Sequence, residues 1–122
     1  MAYKFAAFAA AALLAAAPAL AEEWDFVLTN STGKGIKTFE ISPAGANKWQ
    51  ANKVDPEMKR EPEVKNGGRT TIHFDKEGSQ CKYDLKATFG DGATAVWSGI
   101  NICDAAYVTI KYANDTATFT VN

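Results

Sequence analysis

Cys81-Lys82-Tyr83-Asp84-Leu85-Lys86-Ala87-Thr88-Phe89 alternates with a period of two, with Cys81, Tyr83, Leu85, Ala87 and Phe89 on one face and Lys82, Asp84, Lys86 and Thr88 on the other. Successive side chains of an extended chain point to opposite faces, so this pattern predicts a strand with one buried face. Gly90-Asp91-Gly92 follows, and it predicts a hairpin turn because Gly and Asp tolerate positive φ. Ala93, Ala95 and Trp97 then alternate with Thr94, Val96 and Ser98 and complete the hairpin.

The same alternation recurs on both sides of the hairpin. Trp24, Phe26 and Leu28 alternate before Asn30-Ser31-Thr32-Gly33-Lys34-Gly35, and Ile36 to Ile41 runs up to Ser42-Pro43. After the Asn66-Gly67-Gly68 turn, Thr70 to Phe74 sets Ile72 and Phe74 inward and His73 outward. Val108, Ile110 and Tyr112 form a further strand, and Asn114-Asp115 turns the chain into a last one carrying Ala117, Phe119 and Val121. No segment shows a helical period. About seven short strands separated by turn signals predict an all-β fold, an antiparallel β-sandwich of immunoglobulin-like or C2-like type.

Residues 43–69 break the rhythm. They hold six basic side chains (Lys48, Lys53, Lys59, Arg60, Lys65, Arg69), four acidic ones (Asp55, Glu57, Glu61, Glu63) and three of the four prolines. Connections this long in a small domain tend to carry function or local disorder. Pro56 and Pro62 oppose a continuous helix across them, which leaves one short turn or an added edge strand near Val54 or Val64.

The N-terminus reads as an export signal. Lys4 is followed by an apolar run from Phe5 to Ala17, then Pro18 and the small residues of Ala19-Leu20-Ala21, a pattern that predicts cleavage after Ala21. The run is too short to span a membrane comfortably. A single domain, 22–122, is expected after removal of residues 1–21, with no integral membrane span. In an oxidising compartment Cys81 and Cys103, the two cysteines of the chain, are expected to pair. A redox pair would more often be spaced as C-x-x-C, and a thiolate metal site needs further ligands.

The order of motifs resembles a group of small exported β-proteins of Gram-negative bacteria. Their pattern runs Asn-x-Thr-Gly, Ser-Pro before a Trp, Cys-x-Trp-Asp-Leu, Asp-Gly and Asn-Leu-Cys. Matching positions are Asn30 to Gly33, Ser42-Pro43 with Trp49, Cys81 to Leu85, Asp91-Gly92, and Asn101-Ile102-Cys103. Tyr83 replaces the Trp, Gln50 replaces a Gly, and a longer charged segment follows Val54. The resemblance implies a periplasmic sandwich with a Cys–Cys link and no established activity. Such sequences sometimes carry the label argininosuccinate lyase, an enzyme built as a large helical tetramer, which a β-rich chain of this size cannot form.

Candidate sites are few. His73 is the sole imidazole, and no nucleophile-elbow or zincin motif accompanies it. Asp84, Asp91, Asn101 and Asp104 are weak candidates for calcium, which takes six to eight oxygen ligands, but Asp and Asn also serve turns in their own right. Trp24 and Trp97 fit inward positions. Trp49 either caps the open end of the sandwich or, with Lys53, Lys59 and Arg60, forms a binding loop, since aromatic side chains dominate contact hot spots. Asn30-Ser31-Thr32 and Asn114-Asp115-Thr116 match the glycosylation triplet, read here as turn composition.

These features lead to the expectation of an exported, periplasmic or secreted, non-enzymatic binding module without a cofactor, whose partner is a protein or glycan of the envelope. A calcium-assisted C2-like surface-binding domain is the alternative, and a small enzyme the outsider. The 14 acidic and 13 basic side chains, net charge −1, lack the basic excess of a nucleic-acid binder.

Overall fold

The structure, a computed structural model, describes residues 21–53 and 63–122. The leader, apart from Ala21, and the possible turn or strand between Val54 and Pro62 lie outside the described residues. Eight strands follow in order: β1 (Ala21–Ser31), β2 (Ile36–Pro43), β3 (Gln50–Ala51), β4 (Arg69–Glu77), β5 (Lys82–Phe89), β6 (Thr94–Asn101), β7 (Tyr107–Ala113) and β8 (Thr116–Val121). They form two sheets, ordered β4-β1-β7-β8 and β3-β2-β5-β6. The described residues contain no helix. Neighbouring strands are antiparallel except β1 and β7, which run parallel. The eighth strand, beyond the seven expected, is β3, inside the segment read as a loop. Val64 also makes an isolated bridge to Ile36, which falls short of the added edge strand, one of the alternatives there.

Period two decides what is buried. Phe26, Leu28, Ile72, Phe74, Val108 and Ile110 of the first sheet join Phe39, Ile41, Leu85, Ala87, Phe89 and Trp97 of the second in one core. The alternation slips twice, and each slip is a bulge. Inward residues Ile36 and Phe39 are three apart where the β2–β5 register shifts. Trp97 and Ile100 are likewise three apart where β5–β6 shifts, and Gly99 takes φ +72° there. An extra residue in one strand bends it and strengthens its twist.

Two indoles tie the layers together. Trp97 Nε1 donates from β6 to Lys111 O at 2.9 Å and Thr118 O at 3.0 Å in the opposite sheet. Trp24 Nε1 donates from β1 to Ile102 O at 3.2 Å. Lys76 follows Ile72 and Phe74 on the inward face and is 4% exposed. Its ammonium lies over the Trp24 ring, 5.1 Å from the centroid, and reaches Gly78 O and the Glu22 carboxylate, so the buried charge has partners.

At the other end of the sandwich the brace is Asn30, which is fully buried. Its Nδ2 donates to Lys34 O at 2.7 Å and Val64 O at 2.9 Å. Its Oδ1 accepts from the Thr32 N–H at 3.0 Å and the Thr32 hydroxyl at 2.6 Å. Both amide protons are therefore in use, and the Asn30 triplet is structural. Beside it, the Glu63 carboxylate rests on Gly35 and Gly90, where any Cβ would overlap it.

Cys81 and Cys103 form the expected disulfide, with S–S 2.03 Å and Cα–Cα 5.3 Å. It closes the open end of the β5–β6 hairpin, next to the Lys82–Asn101 pair. The bond therefore lies within one sheet and does not staple one layer to the other.

The flank between β2 and β4 is closed by β3 and the two residues after it. The β3 main chain pairs with β2, and its neighbouring side chains serve β4. Gln50 Oε1 accepts from Asp75 N–H and Gln50 Nε2 donates to Asp75 O, both at 3.1 Å. Asn52 Oδ1 accepts from His73 N–H at 2.7 Å, and its Nδ2 donates to Thr71 O at 3.0 Å. Lys53 N–H adds a bond to His73 O at 2.9 Å. A carboxamide carries a donor and an acceptor, as a peptide does, so two of them imitate a further strand along β4.

Replacing Gln50 and Asn52 together by Ala removes four hydrogen bonds and should lower stability by about 2–4 kcal/mol, since each is worth about 0.5–1 net at an edge that water can reach. Urea denaturation measures the loss, and amide exchange should quicken at His73 and Asp75 while Phe74 stays protected. A second expectation concerns Tyr83, whose hydroxyl accepts from Glu77 N–H at 2.8 Å. Burial pushes the Tyr83 phenol above its ordinary 10.0. The fold therefore holds the neutral phenol while the unfolded chain ionises, so this contribution is complete below pH 10.0 and is lost as pH rises through the folded value. Denaturation at stepped alkaline pH should show a steeper decline for the wild type than for Tyr83→Phe.

Candidate functional site

Ser42 begins the path that places Trp49. It is fully buried; its Oγ donates to Pro43 O and accepts from Lys48 N–H, both at 2.9 Å. The chain turns between these points, with Gly45 at φ +76° and Asn47 at φ +53°. Gly45 N–H donates to Asp84 Oδ2 at 2.9 Å, and Ala44 N–H donates to Lys82 O at 3.0 Å. This tight excursion returns the chain beside β2.

Trp49 does not cap the sandwich. It is half-buried, and it is absent from both the core and the side chains packed on it. Its ring lies beneath Lys86 Nζ, 4.8 Å from the centroid. Lys86 stands between the inward residues Leu85 and Ala87, so it projects from the outer face of the second sheet. Lys86 Nζ also lies 3.7 Å from Glu40 Oε1. In the register Lys86 sits between Glu40 and Val96, and Val96 is 40% exposed. An aromatic ring, an ammonium, a carboxylate and an exposed apolar side chain thus share one outer face. Such a surface offers stacking, cation–π attraction and a charged rim.

Lys53 belongs elsewhere. Its ammonium pairs with Asp75 on the outer face of β4, so it is not brought to Trp49. Lys59 and Arg60 lie outside the described residues. His73 projects outward from β4, as its position predicted, but it is held between two carboxylates. Nε2 lies 3.2 Å from Glu23 Oε1 and Nδ1 lies 3.5 Å from Asp25 Oδ2. Residues Glu40, Lys86 and Val96 were missed by sequence reasoning. Their outward direction is legible in the alternation, but the register that aligns them across three strands is not.

Three of the four oxygen-bearing candidates, Asp84, Asn101 and Asp91, spend side-chain oxygens on backbone N–H groups. Asp84 Oδ2 serves Gly45, and its Oδ1 accepts from Gly99 N–H at 3.0 Å, which fixes the β6 bulge. Asn101 Oδ1 accepts from Cys103 N–H at 3.1 Å. Asp104 is exposed, with its N–H directed to Asn101 O at 3.3 Å. Asp91 takes Ala93 N–H at 3.0 Å inside the hairpin turn and the Lys34 ammonium at 3.0 Å. These two, the Ala93 bond first, hold its carboxyl below the usual carboxylate range. Among the described residues no three His, Cys, Asp or Glu side chains are grouped to hold a metal ion, and no helix is long and apolar enough to cross a membrane.

No family model matches the chain, and no curated protein matches it. Among solved structures it is similar to a protein from Eubacterium rectale determined by NMR, with a TM-score of 0.52 and 17% identity, covering 82% of this chain and 88% of that one. At this identity the likeness speaks for the fold alone.

Proposed function

We propose that this protein is an exported, non-enzymatic binding module whose contact surface centres on Trp49, with Lys86, Glu40 and Val96 around it. The observation that carries the reading is the position of Trp49. A large aromatic ring is held on an outer sheet face by a buried tether when the core lies within the same sandwich. Aromatic side chains with a charged rim supply much of the binding energy at protein and glycan contacts. The partner is a protein or glycan of the cell envelope. Export is supported by the leader-like N-terminus and by a disulfide suited to an oxidising space. The non-enzymatic reading rests on the sequence, where neither a nucleophile-elbow nor a zincin motif accompanies His73, the sole imidazole.

Cross-linking in intact cells, followed by identification of the captured partner, supplies the assay. Trp49→Ala should weaken capture about 30-fold, equivalent to about 2 kcal/mol at a hot spot. Lys86→Ala should weaken it less, and Lys53→Ala should leave it unchanged. Unaltered capture by the Trp49 variant, with wild-type circular dichroism, would refute the site.

A further inference from the structure

The two sheets end in four edge strands: β4 and β8 in the first, β3 and β6 in the second. An edge exposes main-chain groups that any passing strand can pair with, and proteins guard against this with brevity, cover, bulges, charge or proline. Three of the four edges carry a guard. β3 has only two residues. β4 is covered by Gln50, Asn52 and Lys53. β6 is bent by the bulge at Gly99. The last strand, Thr116-Ala117-Thr118-Phe119-Thr120-Val121, has no charge and no proline, and its register against β7 is unbroken.

The hydrogen-bond phase of β8 follows from its far end. Tyr107 and Asn122 exchange both main-chain bonds, at 3.0 and 2.9 Å. Bonded pairs alternate along an antiparallel ladder, so Thr116, Thr118 and Thr120 bond to β7. The N–H and C=O groups of Ala117, Phe119 and Val121 point away from it, and among the described residues no other strand meets them. The same three side chains face the core yet are only partly buried, whereas Ile72 and Phe74 on the covered β4 edge are fully enclosed. The β8 flank is thus open in both its backbone and its apolar seam.

We propose that β8 pairs antiparallel with β8 of a second copy of this chain about a two-fold axis, joining two four-stranded sheets into one of eight. With Phe119 on the axis, it faces Phe119 of the partner subunit, and Ala117 faces Val121 of the partner subunit. All of these carry outward-pointing main-chain groups and inward apolar side chains. On the solvent face Thr118 meets Thr120 of the partner subunit. Apolar meets apolar and threonine meets threonine, both favourable cross-strand pairs. A two-fold seam brings each strand's charges close to their own copies, and β8 has none to repel. That self-compatibility selects a second copy over an unrelated strand.

Sedimentation equilibrium over a concentration series tests the seam, with amide exchange at Phe119 read alongside. The wild type should pass from monomer to dimer mass, and Phe119 exchange should slow roughly tenfold or more as the bond forms. Thr118→Lys places a charge on the exposed side of the seam, and Ala117→Pro removes an N–H that does not serve β7. Both variants should remain monomeric, with the circular dichroism of the wild type and the Tm that the wild type shows when dilute enough to be monomeric. A wild type that stays monomeric at the highest soluble concentration overturns the proposal, including one whose Phe119 amide is protected only by an added extended peptide. Dimerisation of both variants as readily as the wild type overturns it too.

Discussion

The architecture depends on how the open flank between β2 and β4 is satisfied. A two-sheet sandwich leaves main-chain donors and acceptors along its edges, and each such group needs a partner or water. Here one short segment answers to both layers. The main chain of Gln50–Ala51 extends the second sheet, while the carboxamides of Gln50 and Asn52 complete β4 of the first. Because this segment cannot shift without releasing bonds in both sheets, it fixes the exit of the 43–49 turn. The turn in turn fixes Trp49 on the outer face. The candidate contact surface is thus a by-product of edge closure.

Much of the sandwich was legible because burial imposes a period of two wherever a strand has one wet face. Tyr83, Leu85, Ala87 and Phe89 are all buried, as their alternation predicts. The strands became harder to read where a bulge resets the phase, as between Ile36 and Phe39. β3 was hidden for a different reason: two residues are too few to display any period. Its place rests on main-chain pairing with β2 and on the Gln50 and Asn52 amides, whose partners lie 19 to 25 positions further along the chain.

The candidate site was less legible than the fold. Trp49 could be singled out as an aromatic residue in a charged segment, but its destination depended on the Ser42 tether, and a buried hydroxyl leaves no sequence signal. Lys53 looked like its neighbour and is instead an ion-pair partner of Asp75. Asp84 looked like a ligand oxygen and instead holds a turn and a bulge with its two carboxylate oxygens. Short polar side chains bond readily to nearby backbone, and composition cannot distinguish that use from metal binding.

The disulfide joins the ends of one hairpin, and this bears on the sequence of events by which the molecule assembles. Bringing Cys81 to Cys103 requires closing only a short stretch of chain, whereas the parallel β1–β7 pairing joins residues from opposite ends of the domain. Loop closure across such a span is costly and slow. A thiol pair able to oxidise on the local hairpin can lock that hairpin in before the distant strands meet. The sulfur bond then shortens the search left to the rest of the polypeptide and contributes little to the grip between the finished layers.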